Sequence, residues 1–500
     1  MGVDGATLQA TTPSRSTPKR NPNTPIQSGM GGLEPWVSGP IYQWDAAHVR
    51  HLLRRAAFAP TVAEVNAALT LTPNAVVNTM LTPPPAPAPP SWVEQLPYPS
   101  PLTTQQQTNY SNWIRELREW WIRLMLTQPM SLAERMVLFW HGHFANQYST
   151  VQVPQYMYKQ NALFRRHATG NFKELVRQVT IDPAMLIYLD GVRNRLGSPN
   201  ENYARELMEL FTIGIGNYTQ LDIQNAARAL TGWQVSGFEP VFTPSRHDNG
   251  IKTFMGQSGN FDAFDIIDII FQQPATATFI CRKLYKYFVY EVPDETVVNQ
   301  MATIFRNGNY EIAPVLDALF KSAHFFSPLN FSAEITSPIE KMVGAIRQLN
   351  ITVSPTSTVV PSFIRNSMNN MGQNLFEPPN VAGWPGYRLW ISTTTLLLRN
   401  AYTDAIVTGR DINNNNIGFK VSAVPFAQLF PSPNNAIALV DDIAAHLVAL
   451  PLSASRRQVL LDTLLQGIEL YDWSINDPQA PSRIEGLLKV IFRMAEAQLG

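Results

Sequence analysis

The chain has 500 residues, of which 45% are hydrophobic, and its 38 basic residues balance 38 acidic ones. This length exceeds what one hydrophobic core usually organises, so two domains are expected in a protein of globular composition. The balanced charge, without a dense run of lysine and arginine, argues against nucleic acid as a partner. The single cysteine, Cys281, excludes an intramolecular disulfide and a cysteine-rich metal site, and it is expected to be a buried, inert thiol.

A flexible leader is predicted over residues 1–40. It is rich in Pro, Ser, Thr and Gly, and it lacks the apolar segment of a secretory signal. No later run reaches the ~18 uninterrupted apolar residues that a membrane span needs. With no signal peptide visible and no membrane span, a cytoplasmic location is the default expectation.

The first predicted helix covers Trp44 to Phe58, where Val49, Leu52 and Leu53 recur at helical spacing. A proline-rich linker follows near residues 83–90, because its prolines can form neither a helix interior nor a central strand. From Asn109 onward most of the chain has helical periodicity.

Four later helix starts carry the pattern of a capping box, in which a Ser, Thr or Asp meets an acidic residue three positions on. The pairs are Ser131 with Glu134, Ser198 with Glu201, Thr219 with Asp222, and Asp262 with Asp265.

The predicted fold class is mainly α. A multi-helical main domain covers residues 41–410 and includes a non-helical excursion near 234–259, where Phe, Val, Thr, Pro and Gly dominate and a hairpin would fit. Residues 411–430 are predicted to be a linker, and residues 431–500 a smaller helical domain. Its three helices are expected at Ala436–Leu450, Ala454–Tyr471 and Pro481–Leu499.

Side chains suited to metal binding are concentrated between Phe139 and Trp233. His141 and His143 would diverge by ~200° on one continuous helix, but a helix break at Gly142 would let them converge. With His167 they are the candidate ligands of a divalent metal, completed by a carboxylate from Asp182, Asp190, Glu201 or Glu206. The spacing matches no standard zinc motif, so hydrogen-bonded core histidines are the alternative.

Two further residues are candidate catalytic groups. Glu206 neighbours an apolar helix face, where a partly buried carboxylate would have a raised pKa and could act as a base, whereas an ion-paired or solvated Glu206 is equally expected. His247 lies beside Asp248 in a predicted loop, and loops often carry ligand-binding residues. The alternative is an ordinary turn, because Asp-Asn-Gly is a common turn sequence.

A loop rich in proline, glycine and tryptophan extends from Asn374 to Trp390. It predicts either a rigid loop that its tryptophans fix to the helical core, or a surface that binds sugars or peptides. The signatures of serine hydrolases, P-loop NTPases, Rossmann dehydrogenases and common zinc proteases are absent from the sequence.

Several segments in the same order resemble a bacterial family known as domain of unknown function 1800. They are His51–Phe58, Glu134–Phe144, Asn200–Leu210, Ala227–Trp233, His247–Asp248 and Val381–Gly386. The resemblance implies a mainly helical fold, frequent export, and a partner protein resembling a sulfatase-like family, but no established activity.

The leading hypothesis from the sequence is therefore an enzyme with a metal or other cofactor at His141, His143 and His167. The alternative is a non-catalytic binding or assembly protein whose polar motifs are structural. Haem bound by one of these histidines is a further alternative, favoured only by the aromatic surroundings.

Overall fold

Helices form almost all of the regular structure in the computed structural model, which describes residues 31–39 and 43–500. Most of the predicted leader lies outside the described residues. The first eleven helices are α1 Ala46–Ala56, α2 Val62–Leu69, α3 Pro73–Leu81, α4 Thr104–Thr127, α5 Ala133–His143, α6 Tyr148–Val151, α7 Pro154–Arg166, α8 Phe172–Thr180, α9 Pro183–Tyr188, α10 Glu201–Glu206 and α11 Gln220–Ala229.

The remaining helices follow the non-helical excursion and extend to the end of the chain. They are α12 Ala263–Phe271, α13 Pro274–Phe288, α14 Glu295–Asn307, α15 Ile312–Phe320, α16 Pro338–Gln348, α17 Val359–Asn370, α18 Thr393–Thr408, α19 Ala423–Ala427, α20 Ala436–Leu447, α21 Ala454–Leu465 and α22 Ala480–Arg493. The fold is mainly α, as predicted. No helix of the described ranges is long and apolar enough to cross a membrane.

Two of the four predicted capping boxes form. Thr219 caps α11 with Asp222, and Asp262 caps α12 with Asp265. The box predicted at Ser131 is wrong, because α5 begins at Ala133 without a side-chain cap and Glu134 instead accepts hydrogen bonds from other helices. The prediction at Ser198 is also wrong, since Asn200 caps α10 by accepting from Asn202 N.

Two small antiparallel hairpins replace the single one considered for the excursion. β1 Trp233–Ser236 pairs with β2 Glu239–Phe242, and β3 Lys252–Phe254 pairs with β4 Gln257–Gly259. The second turn contains Met255 at φ 46° and Gly256 at φ 82°, the two positive values that a tight two-residue hairpin turn requires.

Buried apolar residues from α1 through α22 form one contiguous cluster. The three predicted C-terminal helices are present, and each ends a few residues before its predicted end. Of these, α20 packs on α16, and α22 packs on α18. Within residues 411–430, α19 is the only helix. Near the C-terminus, Thr336 N donates to Gln498 O and Gly500 N donates to Glu334 O, which anchors the final residues beside α16.

Candidate functional site: a cationic, aromatic pocket beside α5

The helix that carries His141 and His143 does not break between them. α5 continues through Gly142 to His143, and Phe144 N still donates to Trp140 O over 2.8 Å. The predicted break at Gly142 is therefore wrong. Because two positions on a continuous helix differ by ~200°, the two rings point to opposite sides and cannot share a ligand.

His141 is enclosed by aromatic rings. Its Nε2 accepts the backbone N–H of Phe376 over 3.0 Å, and the rings of Trp121 and Trp384 lie 5.2 and 5.4 Å away. Burial, together with the charge of Arg118, lowers the pKa of His141 to about 3. The imidazole is therefore neutral and accepts a structural hydrogen bond, which matches the core-histidine alternative.

His143 points toward a π-helical segment, Leu207–Thr212, that continues α10. A π turn changes the pairing of backbone carbonyls, and here two side chains donate to them. His143 Nε2 donates to Phe211 O over 3.0 Å, and Lys283 Nζ donates to Leu210 O over 2.9 Å. Lys283 Nζ also lies 3.0 Å from His143 Nδ1, which accepts because the other ring nitrogen is the donor.

Burial sets the protonation of this pair. Desolvation, followed by the charge of Lys283, lowers the pKa of His143 well below its ordinary value, so the ring is neutral. Desolvation also lowers the pKa of Lys283 to about 8. A lysine with such a pKa can give up a proton near neutral pH, unlike an exposed lysine.

The other proposed metal ligands lie elsewhere. His167 follows α7 and is partly buried, and Asp182 caps α9 in a buried position where desolvation raises its pKa to about 7. Two of the proposed carboxylates form ion pairs with nearby arginines: Asp190 lies 3.0 Å from Arg193, and Glu201 lies 3.0 Å from Arg205. In the described part of the chain no group of three or more His, Cys, Asp or Glu could hold a metal ion. The expected convergence of His141, His143 and His167 is thus not found.

Glu206 and His247, the candidate catalytic residues, are not brought together. Glu206 is partly buried, and its pKa is raised first by desolvation and then by Glu209, in the direction predicted. His247 is buried, with Nδ1 2.9 Å from Thr231 O, and its ring packs on Phe242 at 5.3 Å. These contacts fix the loop that contains His247.

A cavity of about 260 Å³, which we call the central pocket, lies between α1, α5, α13 and the segments before α16 and α18. Neither Glu206 nor His247 lines it, whereas His143 and Gly142 do. Its cationic residues are Arg54, Arg55, Arg135, Lys283 and Lys286, and its carboxyl groups are Glu291, Glu334 and Glu340. With five cationic side chains against three carboxyl side chains, the lining side chains carry a net positive charge.

Glu334 lies near two of these arginines. Its Oε1 is 3.9 Å from Arg55 Nη2, and the charge of Arg135 also acts on it. Desolvation outweighs both arginines and raises the pKa of Glu334 to about 8. Arg55 makes no hydrogen bond to Glu334 Oε1, because its Nε and Nη2 donate to Phe288 O and Val289 O, over 2.9 and 2.7 Å.

An aromatic wall completes the central pocket. It consists of Phe139, Tyr287, Trp384, Tyr387 and Trp390. The last three belong to the loop rich in proline, glycine and tryptophan, which approaches α5 closely at Gly383. A Cβ on Gly383 would lie 2.3 Å from Gly142 O, so only glycine allows the loop this close to α5.

Three residues of the lining have buried polar atoms without a hydrogen-bond partner in the described part of the chain. They are Arg135 Nε, Glu334 Oε1 and Trp384 Nε1. A buried unpaired polar atom costs about 1–3 kcal/mol, and such groups in one pocket are typical of a site that a ligand completes.

Comparison with protein families assigns the chain to a group. A model described as protein of unknown function (DUF1800) matches residues 51–499. The chain belongs to the DUF1800 family. Comparisons with curated proteins and with solved structures gave no significant match. The resemblance noted from the sequence is thereby confirmed. The segments that carry it contribute five residues to the central pocket: Arg54, Arg55, Arg135, Gly142 and Trp384.

Lys283 and Glu334 were not among the site residues predicted for this DUF1800 chain. Lys283 follows the buried Cys281 on α13, where it looks like any helix-surface lysine. Glu334 precedes α16, whose start is encoded by a further capping box of Ser337 with Glu340. That box could have located α16, but no local signal shows that the preceding carboxyl is buried.

Proposed function

We propose that the protein is an enzyme that binds a small anionic molecule in the central pocket, with Glu334 and Lys283 moving protons on it. The observation that carries this proposal is one cavity that both side chains line, with burial shifting the pKa of each to about 8. Perturbed titratable groups inside a cleft are a typical feature of active sites.

The charge and shape of the pocket support an anionic ligand with a flat or apolar part. Arg135 is bound to Glu340 and lies over the ring of Tyr287 at 4.7 Å, which leaves its unpaired Nε near the cavity. Lys286 is partly exposed and is paired with Glu291 at 2.9 Å. The aromatic wall of the same pocket offers faces on which a ring can pack.

The two groups suit opposite roles in proton transfer. At pH 7 a carboxyl group with a pKa of about 8 is mainly protonated and can donate, since desolvation disfavours its charge. Lys283, with a pKa of about 8, is also mainly protonated at pH 7, and the fraction that has lost its proton can accept one. Two groups that titrate near the working pH give the most effective general acid and base.

This proposal keeps the enzyme predicted from the sequence but places its chemistry in other residues. The competing proposal is a non-catalytic binding or assembly protein, with a partner of the sulfatase-like kind. In that case the polar lining would be structural, and small anions would bind no better to the native pocket than to a variant.

Binding of three probes, benzoate, phenyl phosphate and phenyl sulfate, tests the first half of the proposal by calorimetry. We expect at least one to bind at a single site, and Lys283→Gln to weaken it at least tenfold. The control is Lys420→Gln, which removes an exposed lysine paired with Glu485 outside the pocket. No binding of any probe, or equal binding by the two variants, would count against the proposal.

Carbon-13 NMR of labelled glutamate carboxyl groups tests the second half. The signal that disappears in Glu334→Gln should titrate with a pKa of about 8 in the native protein. A pKa in the ordinary glutamate range would remove the proposed acid, even if a probe bound.

A further inference from the structure

Three cationic side chains from different helices meet beside the central pocket without a carboxylate partner in the described residues. They are Arg54 on α1, Lys341 on α16 and Arg399 on α18. Lys341 is buried, Arg399 is 0% exposed, and Arg54 is partly exposed. The charges of Arg399 and Arg54 both act on Lys341, which shows that each arginine is close enough to repel it.

Their hydrogen bonds go to neutral acceptors. Arg54 Nη2 donates to His446 O over 2.6 Å, Lys341 Nζ donates to Ala497 O, and Arg399 Nη2 donates to Thr336 O over 2.6 Å. Carbonyl groups satisfy hydrogen-bond donors but do not neutralise charge. Arg399 Nε, in addition, is buried without a partner among the described residues.

A second cavity adjoins these cations. This inner chamber has a volume of about 40 Å³ and is lined by Arg54, Lys341, Gly344 and Glu340 among others. The volume is roughly three times the minimum that holds one water molecule. Glu340 does not balance the cations, because it binds Arg135 and accepts the backbone N–H of Ser337 over 2.6 Å.

The charge of Lys341 has support from its own contacts. Its Nζ lies 4.9 Å from the centre of the Phe492 ring, an arrangement that favours an ammonium group. Uncompensated buried charges are unfavourable, and burial together with the two neighbouring arginines lowers the pKa of Lys341 to about 7. An anion bound beside Lys341 would stabilise its ammonium form. Arginine and lysine together are typical ligands of phosphate and sulfate oxygens.

We propose that the inner chamber binds one small tetrahedral oxyanion, phosphate or sulfate, between Arg54 and Lys341, with Arg399 as a further positive charge. The small volume fits an inorganic ion rather than the larger ligand proposed for the central pocket. Arg54 and Glu340 line both cavities, so an occupied chamber would also shape the inner end of the central pocket. This site does not depend on the enzyme proposed above.

Radiolabelled inorganic phosphate and sulfate are the probes, used in equilibrium dialysis with the native full chain at constant ionic strength. Anions that remain bound through purification are measured first, by ion chromatography of acid-quenched protein. We expect one equivalent per chain, either co-purified or bound in dialysis. Native protein that contains no anion and binds neither probe would overturn the proposal.

Four variants locate the site. Lys341→Met and Arg54→Gln should each lower the affinity at least tenfold. If Lys341→Met does not fold, Arg54→Gln and Lys283→Gln decide together, because Arg54 lines both cavities and Lys283 lines only the central pocket. Lys420→Met, a distant exposed lysine, and Lys283→Gln, in the central pocket only, should bind as the native chain does. Loss of binding in Lys283→Gln would place the anion in the central pocket and overturn the inner-chamber assignment. Unchanged binding in Arg54→Gln would overturn it as well.

Discussion

Replacement of Gly383 by alanine tests how the loop Val381–Gly386 is held against α5. Gly383 has φ 81°, and a Cβ there would lie 2.3 Å from the carbonyl oxygen of Gly142. The control is Gly372→Ala, at φ 84°, where a Cβ would meet nothing within 4 Å. Both variants incur the left-handed backbone penalty of roughly 1–2 kcal/mol, but only Gly383→Ala must also displace backbone.

Overpacking of this kind costs typically about 1–3 kcal/mol, because neighbouring atoms must move. We therefore expect the free energy of unfolding, measured in urea, to fall by about 1–3 kcal/mol more in Gly383→Ala than in Gly372→Ala. Since Gly383 precedes Trp384 and Tyr387 of the aromatic wall, probe binding to the central pocket should weaken only in Gly383→Ala. Equal destabilisation by the two variants would refute the close approach.

Three further predictions concern groups whose environments are defined by the structure. Gly142→Ala should leave the free energy of unfolding in urea unchanged or raise it by up to about 1 kcal/mol, because the helix is continuous there and the added methyl group meets no atom within 4 Å. A clear loss of stability would indicate that the helix is interrupted at Gly142. Cys281 should not react with a disulfide reagent at pH 8 until the protein is unfolded, because burial raises the pKa of its thiol; rapid labelling of native protein would contradict this. The pKa of Glu334 is about 8 in the folded protein and ~4.3 in an unfolded chain. Between pH ~4.3 and about 8 the carboxyl group therefore takes up a proton on folding, so its contribution to stability falls as the pH rises through ~4.3 to about 8. Urea unfolding at several pH values should show the native protein losing stability relative to Glu334→Gln from pH 5 to 8, and a constant difference would contradict the raised pKa.

Local sequence patterns were reliable where the interactions that they encode are themselves local. Thr219 and Asp262 cap their helices because the partner of each lies three residues away on the same turn. The pattern at Ser131 has the same spacing, but Arg165 binds both oxygens of Glu134 over 2.6 and 2.8 Å. A charged partner from another helix therefore replaced the local cap, and no local pattern reveals that partner.

The candidate site shows the same division. The sequence places His141 and His143 two residues apart, but in the structure His141 contacts Phe376 whereas His143 contacts Phe211 and Lys283. The π-helical segment, which presents carbonyls to His143 and Lys283, is not marked by any residue type in the sequence. Its acceptors become visible only when helices distant in sequence are packed together.

The sequence by itself determined the mainly helical fold, the place of the non-helical excursion, and the family. It could do so because hydrophobic periodicity, caps and turn residues act over a few residues. Only the tertiary structure decided which of those residues face one another: Lys283 joins His143, Glu334 lies beside Arg55, and Arg54 shares a chamber with Lys341. Burial, charge and pKa depend on neighbours in space, and residues hundreds of positions apart supply them.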